Sequence, residues 1–565
     1  MTEKFFRRAL AVVVIMAACV PLFSKNCIGG HDIIYHLLRI EALKEGICAG
    51  RPFLRINMLF FGGTGYASSM FYPDFLLYFP ALLRSLGAGI GLSYHLFIAL
   101  CIVLGFSSSY FSAEYISKDK NAAIATAIIF TLYQYHIFDI YERSAVGEFT
   151  AVIFLPFVIA GLYDLVYEKF ERPWLLFAGM TGVILCHTIT TVICLGLCVL
   201  MVLIGIKTLI KEPKRILKLI ITALAVIGIT AFYWLPALEI MALGVLKNDF
   251  VYNMELESAG LWELFFNEWN RPGAVIFVLL LVRLLIGGEK KNQDKDDRTE
   301  DRFKVIRFAD ICMVTGLLLC LCATSILPWG RLQRFLGFLQ FPWRLFVAVG
   351  PLLAFSEGVY VNRFASGMAI VTGSAEKAEE NRDRVNRVVL IMLTGIMLIS
   401  AFSNLQKCDQ EYYSYSDDYF KYKPFTTDVL GGEWLPAAVT DREALADISD
   451  IAADDEGREY PVTRIKNELE VSGISGKCRW VDVPFVFYKG YRAENTATGE
   501  ALAVTGEGEN GLTRVYTNGA ENIRVWYKGT TLQLASDVIT LITFAGVAVY
   551  IILKGKRFLG LKPSE

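Results

Sequence analysis

Tyr133-Gln-Tyr-His136-Ile-Phe-Asp139-Ile-Tyr-Glu142-Arg143-Ser-Ala-Val-Gly-Glu148 joins two apolar runs, 121–138 and 148–167. Each run is close to the ~20 residues that a helix needs to cross a hydrocarbon core. The stretch between them therefore reads as a tight polar connection at one end of a pair of membrane helices. Ionisable groups at that depth are costly, so their position between two spans favours a lined cavity over lipid exposure. The competing reading is an ion-pair cluster that only ties the helices together.

Working outward, comparable apolar runs lie near 9–23, 91–116, 173–188, 190–208, 214–236, 272–287, 308–327, 342–361, 388–404 and 535–553. The count gives an α-helical polytopic membrane protein with about twelve transmembrane helices. The composition agrees, with 54% hydrophobic residues and a mean hydropathy of +0.45. A soluble enzyme, a disordered scaffold and a disulfide mini-protein are excluded. With 55 Lys+Arg against 56 Asp+Glu the net charge is −1, which gives no electrostatic footprint for nucleic acid.

Basic residues collect at Lys4 to Arg8, Lys118 and Lys120, Lys169 and Arg172, Lys207 to Lys218, Lys290 to Arg307, Arg363 and Arg382 to Arg387, and Lys554 to Arg557. If both termini are cytoplasmic, every cluster falls inside. That holds only if Tyr72–Gly87, interrupted by Pro73, Pro80 and Arg84, is an outer-face or re-entrant helix rather than a span. An uncleaved first helix is expected at the N-terminus. The reading divides the chain into a transmembrane domain 1–405 with a first outer loop 24–90, an extracytoplasmic β-rich domain 406–534, and a last helix with a cytoplasmic tail 535–565. The β assignment rests on short alternating runs such as Ile523-Arg-Val-Trp-Tyr. Gly288–Arg302 reads as a disordered cytoplasmic loop. Cys27 with Cys48, or Cys408 with Cys478, are the disulfide pairings open to the outer thiols.

The first outer loop opens with Gly-Gly-His31-Asp32-Ile-Ile-Tyr35-His36-Leu-Leu-Arg39. On a helix Asp32, Tyr35, His36 and Arg39 share one face, a carboxylate able to act as a general base beside an arginine able to hold a phosphate. An amphipathic interfacial helix with a plain Asp-Arg pair is the alternative. His187 at the end of one span reads as a helix-helix hydrogen-bond partner, Pro236 as a helix stop, and Trp343 as an interfacial anchor. Gln340 and Arg344 lie one turn apart where another span begins, an arrangement suited to an anionic lipid phosphate. These polar groups collect at one side of the membrane, and buried charge within the spans looks sparse. There is no phosphate-cradling loop, no His-Glu-x-x-His pair and no serine nucleophile elbow, which favours a lipid-carried activated donor.

Taken together, Gly-His31-Asp32 with His36 and Arg39, Tyr72-Pro73, Tyr141-Glu142-Arg143-Ser-Ala-Val-Gly-Glu148, Cys-His187-Thr, Trp234-Leu-Pro236, Gln340-Phe-Pro342-Trp343-Arg344 and Gly432-Glu433-Trp-Leu-Pro436 resemble the bacterial YfhO-like, 6-pyruvoyl-tetrahydropterin synthase-related membrane proteins. Their layout is similar to that of GT-C glycosyltransferases. The resemblance implies an inverting transfer of sugar from a polyprenyl phosphate to a cell-envelope glycopolymer or lipid acceptor, at the outer face of the plasma membrane. It implies Asp32 as general base, with Glu142 and Glu148 as further acidic candidates. His31, His36, Arg39, Asp139, Arg143, His187, Gln340 and Arg344 are the expected substrate-binding residues. No cofactor is implied; the resemblance leaves a divalent metal open without indicating one, since the dispersed histidines form no zinc triad and neither of the first two outer loops shows an Asp-x-Asp pair. The competing functions are a lipid-linked glycan transporter or flippase and a non-catalytic envelope assembly protein.

Overall fold

The computed structural model describes residues 2–246, 252–266, 271–286, 297–372, 378–408, 412–415, 432–448 and 450–558. Among these, seven helices are long and apolar enough to cross a membrane: Ile90–Ser117, Val146–Tyr167, Thr188–Lys211, Glu300–Cys322, Pro342–Ala369, Glu380–Lys407 and Thr531–Lys554. Two bent pairs, Lys120–Thr131 with Gln134–Tyr141 (45°) and Pro213–Ile229 with Ala231–Ala242 (70°), raise the number to nine if each is one span. The expected twelve is therefore not reached by helices of full spanning length. The runs at 173–188 and 272–287 contain the shorter helices Pro173–Ile184 and Ala274–Leu285, and Phe75–Ser85 in the Tyr72–Gly87 segment is shorter still than a span. The run at 9–23 forms the helix Glu3–Ala18 followed by a 3₁₀ turn at Val20–Phe23.

The chain divides into two compact units. The first comprises Met1–Ile33, Tyr94–Leu224 and Val251–Ser414. At its centre are Pro342–Ala369 and Val146–Tyr167, whose apolar windows are 100% and 89% buried. Small residues permit this closeness. A Cβ on Gly358 would lie 2.1 Å from Thr126 Oγ1, and one on Gly161 would lie 2.6 Å from the Leu176 amide nitrogen. The expected disordered loop is corrected in part, since Asp297 already begins a helix that runs to Cys322; residues 287–296 lie outside the described residues.

The second unit comprises Ile34–Ser93, Ala225–Phe250 and Tyr415–Glu565. Its β part is a nine-stranded antiparallel sheet. The strands are β1 Ile451–Asp454, β2 Glu459–Ile465, β3 Glu468–Ser472, β4 Trp480–Val486, β5 Tyr491–Asn495, β6 Ala501–Leu502, β7 Val504–Thr505, β8 Leu512–Tyr516 and β9 Asn522–Tyr527. They are ordered β6-β5-β9-β3-β2-β1-β4-β8-β7. The alternation in sequence sets the faces: Leu469, Val471, Ile523 and Val525 are buried, while Glu470, Ser472, Asn522, Arg524 and Trp526 are more exposed. The β-rich domain was thus correctly read, although the last helix starts at Thr531 rather than 535.

Three further expectations fail in informative ways. Pro236 does not stop its helix but lies inside Ala231–Ala242, and the bend precedes it. Proline removes the N–H that would bond the carbonyl four residues back; that carbonyl, on Phe232, instead accepts from Arg55 Nη1 at 2.5 Å. The helix Ile33–Cys48 is no interfacial helix with a wet polar face: His36 and Arg39 are as buried as Leu37 and Leu38. The disulfides are absent, with all four cysteines present as free thiols. Cys27 is buried in a two-residue strand that pairs with Tyr412–Tyr413, whereas Cys48 is exposed.

Candidate functional site

The first unit gathers most of the sequence-designated residues around one carboxylate. Glu148 enters at the start of the helix Val146–Val152 and is fully buried. Its Oε1 accepts from Arg143 Nη1 at 2.9 Å and from Arg344 Nε at 2.6 Å, and its Oε2 accepts from the Tyr135 hydroxyl at 2.9 Å. Arg143 Nη1 also donates to Asp139 Oδ1 at 2.8 Å, leaving Asp139 Oδ2 buried without a hydrogen-bond partner. Arg344 donates to the Leu339 carbonyl at 3.3 Å and to the Gln340 side chain. His187 caps the helix Thr188–Lys211 with Nδ1 2.8 Å from Thr190 Oγ1, within electrostatic range of Glu148 and both arginines.

Two arginines share one carboxylate oxygen, and Asp139 offers Arg143 a second carboxyl group. The guanidinium of Arg143 also lies 4.8 Å from the Trp343 ring centroid, and Trp343 stacks on Phe341 at 4.6 Å. Trp343 is therefore a buried support of the cluster and not the expected interfacial anchor. The hydrogen bonds named for Arg143 leave from Nη1, and those of Arg344 from Nε and Nη1. Each fork keeps Nη2 for a further acceptor.

Asp32 is brought to the same cluster by its backbone. The His31 and Asp32 amides donate to the Glu142 and Arg143 carbonyls at 3.0 and 2.9 Å, and His31 Nε2 lies 3.5 Å from Glu142 Oε1. Among the described residues no hydrogen bond reaches the Asp32 carboxylate, which is only partly covered in surface terms. Burial pushes its carboxyl above the ordinary carboxylate range, against the opposing pull of Arg143, Arg344 and His31. Asp32 precedes the helix rather than riding on its polar face.

Gly30 makes this placement possible. Its φ is +150°, and a Cβ there would stand 2.2 Å from Ser144 Oγ and 3.1 Å from the Glu142 carbonyl oxygen. Gly30→Ala is expected to push the loop off the Glu142–Ser144 backbone. Alanine at a positive φ destabilises by more than about 1 kcal/mol. The check is thermal unfolding of purified Gly30→Ala in detergent, where a lowered Tm against wild type is expected.

His36 and Arg39 are the exceptions among the designated residues, since both belong to the second unit. There Arg39 donates to Asp74 Oδ1 from Nη2 at 2.6 Å and from Nε at 3.0 Å, to the Tyr72 and Pro73 carbonyls at 3.1 and 2.7 Å, and lies 3.1 Å from His36 Nδ1. Rings of Tyr35 and Tyr72 close over it. These contacts make Arg39 an anchor of the second unit's own fold. Asp74, Tyr135 and Phe341 were missed by the sequence reading; only the Tyr135 spacing one turn before Asp139 carried a signal. One acidic group in the second unit, Asp454, Asp455 and Cys478, has ligand atoms within 4.8 Å of one another. Its carboxylates already accept from Arg458, Tyr460 and Arg479.

An uncharacterized protein of Lactococcus lactis subsp. cremoris (strain MG1363) is 22% identical over 342 residues, 57% of this chain and 54% of the relative, so the chain spans about half of that relative's length. Among solved structures, the archaeal oligosaccharyltransferase AglB from Archaeoglobus fulgidus, in complex with an inhibitory peptide and a dolichol-phosphate, is 12% identical. The match covers 74% of this chain and 57% of that one, with a TM-score of 0.39. ArnT from Cupriavidus metallidurans bound to undecaprenyl phosphate is 13% identical over 72% of this chain and 78% of that one, with a TM-score of 0.41. Both scores are below 0.5, and the reading of the site rests on its own geometry. The YfhO-like and pterin synthase-related names find no counterpart in these comparisons. A family model matches residues 6–289, just over half of the sequence, and the chain belongs to that family, described as a family of unknown function (DUF6541).

Proposed function

We propose that this protein is an inverting GT-C-type glycosyltransferase that moves a sugar from a polyprenyl phosphate to a cell-envelope acceptor. The observation that carries the reading is the Arg143–Glu148–Arg344 cluster beside Asp32, a carboxylate that no hydrogen bond reaches among the described residues. Asp32 removes the proton from the acceptor hydroxyl as its oxygen attacks the anomeric carbon. The bond from that carbon to the phosphate oxygen breaks on the opposite face, and the developing phosphate charge is met by the Nη2 edges of Arg344 and Arg143. Glu148 and Asp139 fix both guanidinium planes before substrate arrives, so little reorganisation is left for the reaction itself. Trp343 and Phe341 shield the site from water, which strengthens each charge interaction there.

Arg344→Lys tests the donor site. A charge-assisted hydrogen bond contributes about 1.5–3 kcal/mol, and an ammonium does not reproduce the guanidinium fork. Undecaprenyl phosphate is expected to bind Arg344→Lys about tenfold or more weakly than wild type, measured by titration in detergent. Equal affinity in wild type, Arg344→Lys and Arg344→Ala removes Arg344 from the site.

The orientation belongs to the same proposal, with both termini cytoplasmic and the β-rich domain extracytoplasmic. It is supported by the positions of Lys4, Lys118, Lys169, Lys211 and Lys554 along the chain. A cysteine at Thr505 should react with a membrane-impermeant maleimide in intact cells and one at Lys169 should not. The reverse labelling contradicts it.

A second reading, a transporter or flippase of lipid-linked glycan, gains one observation. The sequence suggested that polar groups stop at one face, yet Glu357, Asn362 and Asn386 are buried within helices that span. That reading expects glycan to cross the membrane with no bond made or broken.

A further inference from the structure

Glu357 lies inside Pro342–Ala369, the span whose apolar window is entirely buried. It is fully buried, and neither carboxyl oxygen has a hydrogen-bond partner. Thirteen residues separate it from Arg344, about 20 Å along a helix, which puts it well inside a hydrocarbon core of ~30 Å. An ionised carboxylate left uncompensated at that depth costs far more than the fold can supply, so the group carries a counter-ion or a proton.

The surroundings decide between the two. Among the described residues no arginine or lysine pairs with Glu357. On packed elements Arg283 pairs with Asp310 at 2.7 and 3.1 Å, and Asp310 also accepts from the Tyr360 hydroxyl at 2.7 Å. The helix Ala378–Lys407, which packs on the same span, has no titratable side chain between Arg387 and Lys407. From Glu300–Cys322 the titratable groups beyond Asp310 are the thiols Cys312, Cys320 and Cys322. Toward the bent helix pair stand Tyr133 and Thr126, whose hydroxyls are also buried without partners. The Tyr133 ring packs where a Cβ on Gly350 would be, two turns before Glu357 on the same helix face. Tyr133 lies within electrostatic range of both Glu357 and Asp139. Asp139 Oδ2, Tyr133 OH and the Glu357 carboxyl are thus three orphaned polar groups, with Tyr133 in electrostatic range of the other two. A hydroxyl both donates and accepts, and a protonated carboxyl donates, so groups of this kind can pass a proton along.

We propose that Glu357 is a proton-binding and proton-exchanging site within the membrane, reached from the Arg143–Glu148 cluster through Asp139 and Tyr133. The ligand is a hydron, bound as the neutral acid and released to leave the carboxylate. The proposal holds under either reading of the function, because it concerns a group that the transfer step does not use.

The test uses the full chain in phosphatidylglycerol-containing nanodiscs. Dicyclohexylcarbodiimide adds to a protonated carboxylic acid in an apolar setting, with no leaving group, so peptide mass spectrometry should find the reagent's added mass on Glu357. The labelling should fall as pH rises, be indifferent to sodium, and vanish in Glu357→Gln. Infrared spectroscopy supplies an independent readout. A protonated-carboxyl carbonyl band lost in Glu357→Gln should shift on transfer to D₂O, more slowly in Tyr133→Phe. Protection by sodium would make this a cation site and overturn the proposal. Absence of the adduct together with a band that does not shift in D₂O would make Glu357 an inert buried acid and overturn it equally.

Discussion

Asp32→Asn should insert and fold as wild type does and lose sugar transfer by about 10²- to 10⁴-fold, the usual cost of removing a general base. Asparagine keeps the shape of the side chain but cannot accept the acceptor's proton. The Asp32 backbone contact to Arg143 is made by the amide and survives the substitution. The pH dependence gives a second signature. Because burial raises the Asp32 pKa, the base form appears only as pH climbs past a value above the ordinary carboxylate range. The rate should therefore rise with pH along a limb displaced upward, and Asp32→Asn should remove that limb. The sign for stability is opposite: a carboxyl with a raised folded pKa contributes stability at low pH that is lost as pH rises through that pKa. If the purified variant transfers within about threefold of wild type, the base lies elsewhere, with Glu142 next in line.

Glu148→Ala is expected to have the largest effect on the fold. It removes the one oxygen on which Arg143 and Arg344 converge and the acceptor of the Tyr135 hydroxyl. Arg143 is left with Asp139 as its carboxylate partner, and Arg344 with the Leu339 carbonyl and the Gln340 side chain. Breaking a buried pair in this way costs about 3–5 kcal/mol. Thermal unfolding in detergent should show a lowered Tm, with weakened polyprenyl-phosphate binding because both forks lose their fixed planes. Glu148→Gln, which can still accept from both arginines, should fall between. A wild-type Tm for Glu148→Ala would mean that the cluster holds nothing together.

The sequence made the membrane character legible, because apolar runs are a one-dimensional property. It made the β-rich domain legible for the same reason, through the alternation around Ile523 and Trp526. Helix number was less so: a run such as 121–138 says nothing of the break at Leu132 and Tyr133 that splits it into Lys120–Thr131 and Gln134–Tyr141. At the site, Asp139, Arg143 and Glu148 were legible because they sit within one turn-sized connection. Arg344 was legible from its place before a span. Arg39 shares helical spacing with Tyr35 and His36, yet its carboxylate partner is Asp74, 35 residues away, and nothing local announces that pairing. Trp343 misled, since an aromatic at a helix end reads as an anchor until the Arg143 guanidinium is found beside it. Glu357 was passed over because a single acid in an apolar run looks like noise until both its oxygens are found without partners.

The most direct test of the central claim is the glycan composition of the cell envelope in a deletion strain complemented with wild type or with Asp32→Asn at equal protein level. The expected result is that one sugar substituent is lost in the deletion strain, restored by wild type and not restored by Asp32→Asn. Full restoration by Asp32→Asn would contradict a transferase that uses this carboxylate as its base.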